Sequence, residues 1–336
     1  MFVILAVAAI VIAAIFIRLY EKNKNAFCKS QKRLNGKTAL VTGGTDGMGL
    51  QIAIEFAKRG ARVIVACPFP KEGAEALKII VEESGNKNVE FKHLDLACLK
   101  SVRQFTSDIL KNESRLDILI NNAGTAARGE CKTEDGMNYV MQVNYFGQFL
   151  LTILLLPLLM KTGTQQEPSR IVNTGSILHH VGHIDVHNLN GISATNNWLL
   201  VQVYANSKIA LLSFNFELAR RLRATNVVVN AVDPGAVGTN IFFGINSLVG
   251  TVVKFCFQSM YKTPWEGAQT AIHVALDDGA GKLSGGYFAN CNPTAASGRA
   301  YDEVSARLLW EESSKLVGLT EEEFRALEGA VLEHRM

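Results

Sequence analysis

Tyr204-Ala-Asn-Ser-Lys208 sets a phenol and an ammonium one helical turn apart, close enough for the cation to act on the tyrosine proton. Reducing a carbonyl by hydride requires a proton for the developing alkoxide, and oxidising an alcohol requires that proton to be removed. A tyrosine of ordinary pKa is a poor base at neutral pH unless a cation stabilises its phenolate, the role open to Lys208. Ser176, which follows an apolar run, can hold the substrate oxygen as alkoxide character develops. Spacing alone decides nothing, since Tyr20-Glu-Lys-Asn-Lys24 repeats it by accident. What distinguishes Tyr204 is a glycine loop from Thr42 to Gly49 and a polar turn, Asn121-Asn122-Ala123-Gly124.

Ala39-Leu40-Val41-Thr42 runs directly into Gly43-Gly44-Thr45-Asp46-Gly47-Met48-Gly49 and then into a helix-forming segment. Glycines there permit positive φ and let backbone amides approach a pyrophosphate, which a helix N-terminus also attracts. The implied ligand is a dinucleotide. An acid about 20 residues past the loop would hold the ribose of NAD, and an arginine the phosphate of NADP. The chain offers Ala66-Cys67-Pro68, which is neither.

These residues need a scaffold. From Lys37 onward, short β-branched runs alternate with helix-length amphipathic segments, the pattern of a parallel sheet wound by crossover helices. Strands are expected over 38–42, 62–66, 89–94, 116–120, 170–174, 227–232 and 286–288, with helices over 49–59, 71–84, 99–112, 135–160, 203–224 and 265–277. The fold class is α/β, a single Rossmann-type doubly wound domain with a seven-stranded parallel sheet. A tail helix is expected over 300–316 and another after Thr320, where Thr320 and Glu323 have capping-box spacing.

The Thr-Gly-x-x-x-Gly-x-Gly run of Thr42–Gly49 and the later Tyr204/Lys208 pair resemble the short-chain dehydrogenase/reductase superfamily, over about Lys37 to Leu319. The resemblance implies a cofactor-binding set of Gly43, Thr45, Asp46, Gly47, Met48 and Gly49 in the loop, with Asp95 and Leu96 at the adenine. Asn122, Ala123 and Gly124 would form the turn after strand four, and Pro234, Gly235, Val237 and Thr239 the loop at the nicotinamide carboxamide, with Tyr204 and Lys208 also touching the cofactor. It makes Ser176, Tyr204, Lys208 and Asn144 catalytic, Asn144 supporting a water relay to the lysine. Asp46 stands where many NADP-dependent members carry a basic residue and would repel a 2′-phosphate, with Lys71 as partial compensation. NAD is therefore favoured, with NADP or dual use open.

Ser176-Ile-Leu-His179-His180, Gly267-Ala-Gln-Thr270 and the apolar N-terminus look like the retinol dehydrogenase branch. Thr42–Gly47 and Val232-Asp233-Pro234-Gly235 look closer to its X-linked dehydrogenase/reductase-type members, which act on polyprenoid alcohols and aldehydes. The chain departs from the branch in lacking its phosphate-binding arginine near Cys67-Pro68 and in a longer stretch from Ser176 to Tyr204. The implied activity is interconversion of a hydrophobic retinoid or polyprenoid alcohol and its aldehyde. A steroid or fatty-acyl ketone reductase and a non-catalytic dinucleotide-binding membrane scaffold are the alternatives.

Met1 to Ile17 carries no charged residue, and Arg18, Lys22, Lys24, Lys29, Lys32 and Arg33 follow it. As a helix this run rises roughly 25 Å, near the thickness of a thin bilayer. The expected organisation is a membrane anchor over 1–20, a basic linker over 21–36, the catalytic domain over 37–319 and a tail helix over 320–336. Positive residues after the anchor place the domain on the cytosolic side of the endoplasmic reticulum membrane, single-pass; a cleaved signal peptide is the rival. Residues 241–260, with Phe242, Phe243, Phe255 and Phe257, fall where the superfamily keeps its substrate lid.

The formal charge of +3 comes from 34 basic and 31 acidic side chains, leaving no footprint for nucleic acid. Six scattered cysteines without a Cys-x-x-Cys favour reduced thiols. His179, His180, His183 and His187 lack a thiolate or carboxylate partner set, so no metal is expected and pocket-lining histidines are. Homo-oligomerisation stays open.

Overall fold

The computed structural model describes residues 25–126, 132–190, 197–238 and 261–323. The expected anchor, Thr239, the lid segment 241–260 and the tail beyond 323 lie outside the described residues.

Eight strands form one sheet: β1 (Thr38–Thr42), β2 (Arg62–Cys67), β3 (Val89–His93), β4 (Ile118–Asn121), β5 (Ser169–Thr174), β6 (Val227–Asp233), β7 (Gly286–Ala289) and β8 (Asn292–Thr294). Their order is β3-β2-β1-β4-β5-β6-β7-β8. The first seven pair in parallel, as the sequence predicts. The eighth corrects the expected count. It returns antiparallel to β7 through Asn290 and Cys291, both left-handed with φ of 48° and 57°. Such a turn usually advertises itself with glycine, and this one has none.

Residues of β1 alternate between two cores. Leu40 faces one side with Ile64 and Leu119, while Ala39 and Val41 face the other with Val63 and Ile120. Both faces must therefore be covered by helices. Helices α1 (Gly47–Lys58), α2 (Pro70–Ser84) and α6 (Pro264–Leu276) cover the Val41 side, and α3 (Leu99–Asn112), α4 (Gly147–Thr162) and α5 (Asn197–Arg221) cover the Leu40 side. On the latter, Phe149 of α4 packs 5.1 Å from Phe214 and edge-on, at 5.3 Å, to Trp310 of α7 (Glu303–Leu316).

Local chemistry sets the helix ends. Asp46 caps α1 through Gly47 N. Thr263 and Glu266 form a reciprocal capping box at α6, with Pro264 in its first turn. Thr320 and Glu323 make the same exchange, at 2.8 and 3.2 Å, where the sequence places the start of the tail helix.

The helix expected over 135–160 is divided. Asp135 is drawn away by Leu99 N and the Gln142 amide, and the chain turns at Gly136 with φ 74°. Asn138 then caps a single turn, Tyr139–Met141, followed by a π turn, Gln142–Phe146, and α4. The stretch Tyr139–Thr162 is long and apolar enough to cross a membrane, but 83% of its most apolar window is buried within the fold, so it is a core helix.

Candidate active site

Strand order reverses between β1 and β4, and a groove of about 410 Å³ opens at their C-terminal ends, where open α/β sheets hold ligands. Thr42 joins its two walls. Its hydroxyl donates to Ile120 O at 3.2 Å and accepts from the amides of Asn122 and Ala123, both at 3.0 Å. Asn122 donates its side-chain amide to Thr42 O and Gly43 O. Its Oδ1 is buried without a hydrogen-bond partner among the described residues.

Gly43 and Gly47 have φ of 61° and 56°. A Cβ on Gly49 would stand 2.1 Å from Gly43 O, so only glycine lets α1 start this close to the loop. The first-turn amides of α1 lack intrahelical acceptors and favour an anion. Gly43, Thr45, Asp46, Gly47, Met48, Asp95, Leu96, Asn122, Ala123 and Gly124 all line the groove, with Gly49 packed behind it. Asp95 is fixed by accepting from Ala97 N at 2.8 Å. Asn121 belongs instead to the core, fully buried and donating to Thr152 and Asn173. The open helix terminus, the glycine cradle and the spare Asn122 acceptor fit a dinucleotide.

Sequence reasoning missed Phe69, Glu72 and Tyr139, which also line the groove. Phe69, half exposed just after β2, adds an aromatic ring to the groove lining; an aromatic between two prolines after a strand was the available signal. Among the described residues no lining side chain is cationic, and the carboxylates of Asp46, Glu72 and Asp95 are all present. Lys71 is not among the lining residues.

Beyond the groove, the structure brings Ser176, Tyr204, Lys208 and Asn144 together from different elements. Ser176 follows β5 and caps the 3-10 turn Ile177–Val181. The Tyr204 phenol, on α5, is hydrogen-bonded to the Ser176 side chain. Lys208 Nζ lies 5.5 Å from the Tyr204 ring centroid and donates to Thr174 O at 2.9 Å. Asn144 occupies the centre of the π turn, an irregularity frequent at functional sites. Its amide spans Thr125 N and O at 2.8 and 2.9 Å and donates to Ser207 Oγ at 3.0 Å, which donates to Tyr204 O at 2.7 Å.

Burial governs the proton chemistry. It pushes the Tyr204 phenol up to about 12, the Ser176 hydrogen bond opposing and the Asp233 charge adding. It pulls the Lys208 ammonium down to about 8, with Asp233 opposing. In both groups burial outweighs the neighbouring charges. With its pKa raised this far, Tyr204 keeps its proton at neutral pH.

Asp233 is fixed by Gly235 N at 2.9 Å and Tyr287 OH at 3.2 Å. It begins the Pro234-Gly235 loop, where Gly235 has φ 77°. Val237 bridges to Lys262. A Cβ on Gly267 would meet Val237 Cγ2 at 2.5 Å and Met48 Sδ at 2.8 Å, so this loop is wedged against the start of α1. Among the histidines, His179 is fully buried and hydrogen-bonded at both ring nitrogens. Among the described residues no three His, Cys, Asp or Glu side chains converge as a metal site.

A sequence profile of the short chain dehydrogenase family matches residues 37–247. Human "Retinol dehydrogenase 13" is 40% identical over 296 residues, covering 87% of this chain and 88% of that protein. Human "Retinol dehydrogenase 11" is 41% identical over 292 residues, covering 87% and 89%. Among solved structures, the Pseudomonas aeruginosa RhlG/NADP active-site complex superposes with a TM-score of 0.61 at 28% identity, over 76% of this chain and 95% of that one.

Proposed function

The chain belongs to the short-chain dehydrogenase family, and on that premise we propose that it is an NAD(P)-dependent oxidoreductase interconverting a retinoid alcohol and its aldehyde. The observation that carries this reading is the Tyr204 phenol, hydrogen-bonded to Ser176 beside Lys208, in a fold that also carries a glycine-cradled groove. A bound nicotinamide supplies or accepts the hydride. In reduction, Tyr204 gives its proton to the carbonyl oxygen while the Ser176 hydroxyl donates a hydrogen bond to that oxygen. Lys208, protonated below about 8, stabilises the phenolate that forms. Asn144 ties the carbonyl of Tyr204, through Ser207, to Thr125 on the β4 exit, which keeps the donor in register with the groove.

NAD is the favoured dinucleotide, because Asp46, Glu72 and Asp95 line the groove and, among the described residues, no lysine or arginine does. A 2′-phosphate would meet like charge without a partner. The apolar run Met1 to Ile17 and its basic flank support a membrane-anchored enzyme with its catalytic domain in the cytosol. Asn112, exposed in the sequon Asn112-Glu-Ser114, tests the sidedness: glycosylation there would put the domain in the lumen. The functional test presents membrane-embedded protein with retinoid, polyprenoid, steroid and acyl substrates, each with NADH and NADPH. Retinaldehyde reduction is expected, and no turnover in any combination would overturn the reading.

A further inference from the structure

Ser176 is held from behind by His179. The imidazole is fully buried, and both nitrogens are engaged: Nδ1 lies 2.7 Å from Ser176 O, and Nε2 lies 3.0 Å from the backbone nitrogen of Ser297. A backbone N–H can only donate, so Nε2 must accept. The ring's one proton therefore sits on Nδ1 and is donated to the Ser176 carbonyl. The His179 amide reaches the same carbonyl at 3.1 Å, so two donors on one residue fix the turn that presents the serine hydroxyl.

The far side of the ring fixes a different segment. Ser297 opens the 3-10 turn Gly298–Tyr301 leading to α7, more than a hundred residues from Ser176 in sequence. Arg299 adds a second tie by donating to Gly182 O at 3.2 Å, at the other end of the turn that Ser176 begins. The rings of His180, on the same turn, and Tyr287, on β7, lie 4.1 and 5.2 Å from His179; the charges acting on it are His180, which opposes a second proton, and Asp233 at the end of β6, which favours one. Burial holds the imidazole below its ordinary pKa, which keeps it neutral at physiological pH and Nε2 free to accept.

We propose that His179, as the neutral Nδ1–H tautomer, is a positioning residue with two separable roles: through Nδ1 it fixes the turn that presents Ser176, and through Nε2 it latches the 296–301 segment to that turn. This rests on the reading of Ser176 as the donor to the substrate oxygen. His179 itself touches no reacting atom. It acts through the Ser176 carbonyl on one side and the Ser297 amide on the other.

The two bonds can be separated by substitution. His179→Ala loses both. His179→Asn places an amide NH2 near the Nδ1 position, keeping the bond to Ser176 O while losing the acceptor for Ser297. Ser297→Pro removes only the N–H donor, and Ser297 already has φ −56°, which proline adopts without strain.

The experiment uses full-length protein in detergent or nanodiscs, with retinaldehyde kinetics, fluorescence titration of reduced dinucleotide, and hydrogen exchange of the 296–301 peptide. His179→Ala is expected to lower kcat by about tenfold, the rate equivalent of one ordinary hydrogen bond, with dinucleotide Kd unchanged. His179→Asn should recover most of that kcat, and both His179→Asn and Ser297→Pro should speed exchange at 296–301 while exchange in β1 and β4 stays slow. Wild-type kcat in His179→Ala, no recovery in His179→Asn, or unchanged exchange at 296–301 would each overturn the proposal. Should wild-type protein turn over no substrate, the functional reading falls separately, and the exchange comparison still decides whether His179 is the latch.

Discussion

Gly49→Ala adds one methyl group at the tightest point of the glycine loop. That methyl would lie 2.1 Å from Gly43 O, 2.8 Å from Gly43 C and 2.6 Å from Asn122 Nδ2, roughly 1 Å or more inside van der Waals contact. Two of these atoms are backbone, so no rotamer change relieves the clash, and the Asn122 amide is committed to Thr42 O and Gly43 O. Overpacking costs about 1–3 kcal/mol, and a backbone obstacle places this site near the upper end. Alanine's better helix propensity offsets about 1 kcal/mol. The remainder, about 2 kcal/mol, corresponds to roughly thirtyfold weaker dinucleotide binding if relief comes from moving the loop out of its cradle. Fluorescence titration with NADH and NADPH on full-length protein measures it, with thermal melting recorded on the same samples. Gly298→Ala is the control, since a Cβ there has nothing within 4 Å. Wild-type affinity in Gly49→Ala, with an unshifted melt, would refute the reasoning that the loop must close on α1 to bind.

Glu72→Lys should improve NADPH binding relative to NADH on the order of tenfold, by giving the groove a cation where it now has a carboxylate; equal change for both cofactors would remove Glu72 from the discriminating role. Reductive turnover should fall as pH rises through about 8, where Lys208 loses its proton, and a profile flat to pH 10 would contradict that assignment. The same depressed lysine makes folding more favourable as pH rises from about 8 towards 10.5, because the unfolded chain binds more protons at this site over that window. Lys208→Met should flatten that part of the stability–pH curve in urea titrations. Phe149→Ala, which removes a fully buried ring packed on Phe214 and Trp310, should cost about 3–5 kcal/mol in urea unfolding, and a loss under 1 would mean that the α4–α7 contact is not a packed core.

The parts of the fold written in local chemistry were legible. The run Ala39–Gly49 announces strand, turn and helix by β-branching, glycine and the Asp46 cap, and the seven parallel strands follow from the same alternation. What long-range packing decides was not legible. The apolar spacing from Tyr139 to Thr162 runs without interruption through the π turn that presents Asn144. The β7–β8 hairpin hides because Asn290 and Cys291 take left-handed conformations without a glycine between them. Phe69 and Glu72 became groove residues only once β2 and α2 were placed beside β1. The proton affinities of Tyr204 and Lys208 could not be read from their spacing, because burial rather than mutual attraction dominates both. Likewise, His179 looked like one member of a histidine cluster until Ser297 was found against its Nε2.

Those burial effects converge on one phenol. The most direct test is retinaldehyde reduction by full-length Tyr204→Phe alongside wild type, with NADH and NADPH, and with dinucleotide Kd measured on the same preparations. Removing the Tyr204 hydroxyl leaves the groove and its glycine cradle untouched while taking away the proton that the proposed mechanism delivers to the substrate oxygen. The account predicts a loss in kcat on the order of 10²–10⁴ with Kd unchanged. Reduction by Tyr204→Phe at the wild-type rate would contradict it.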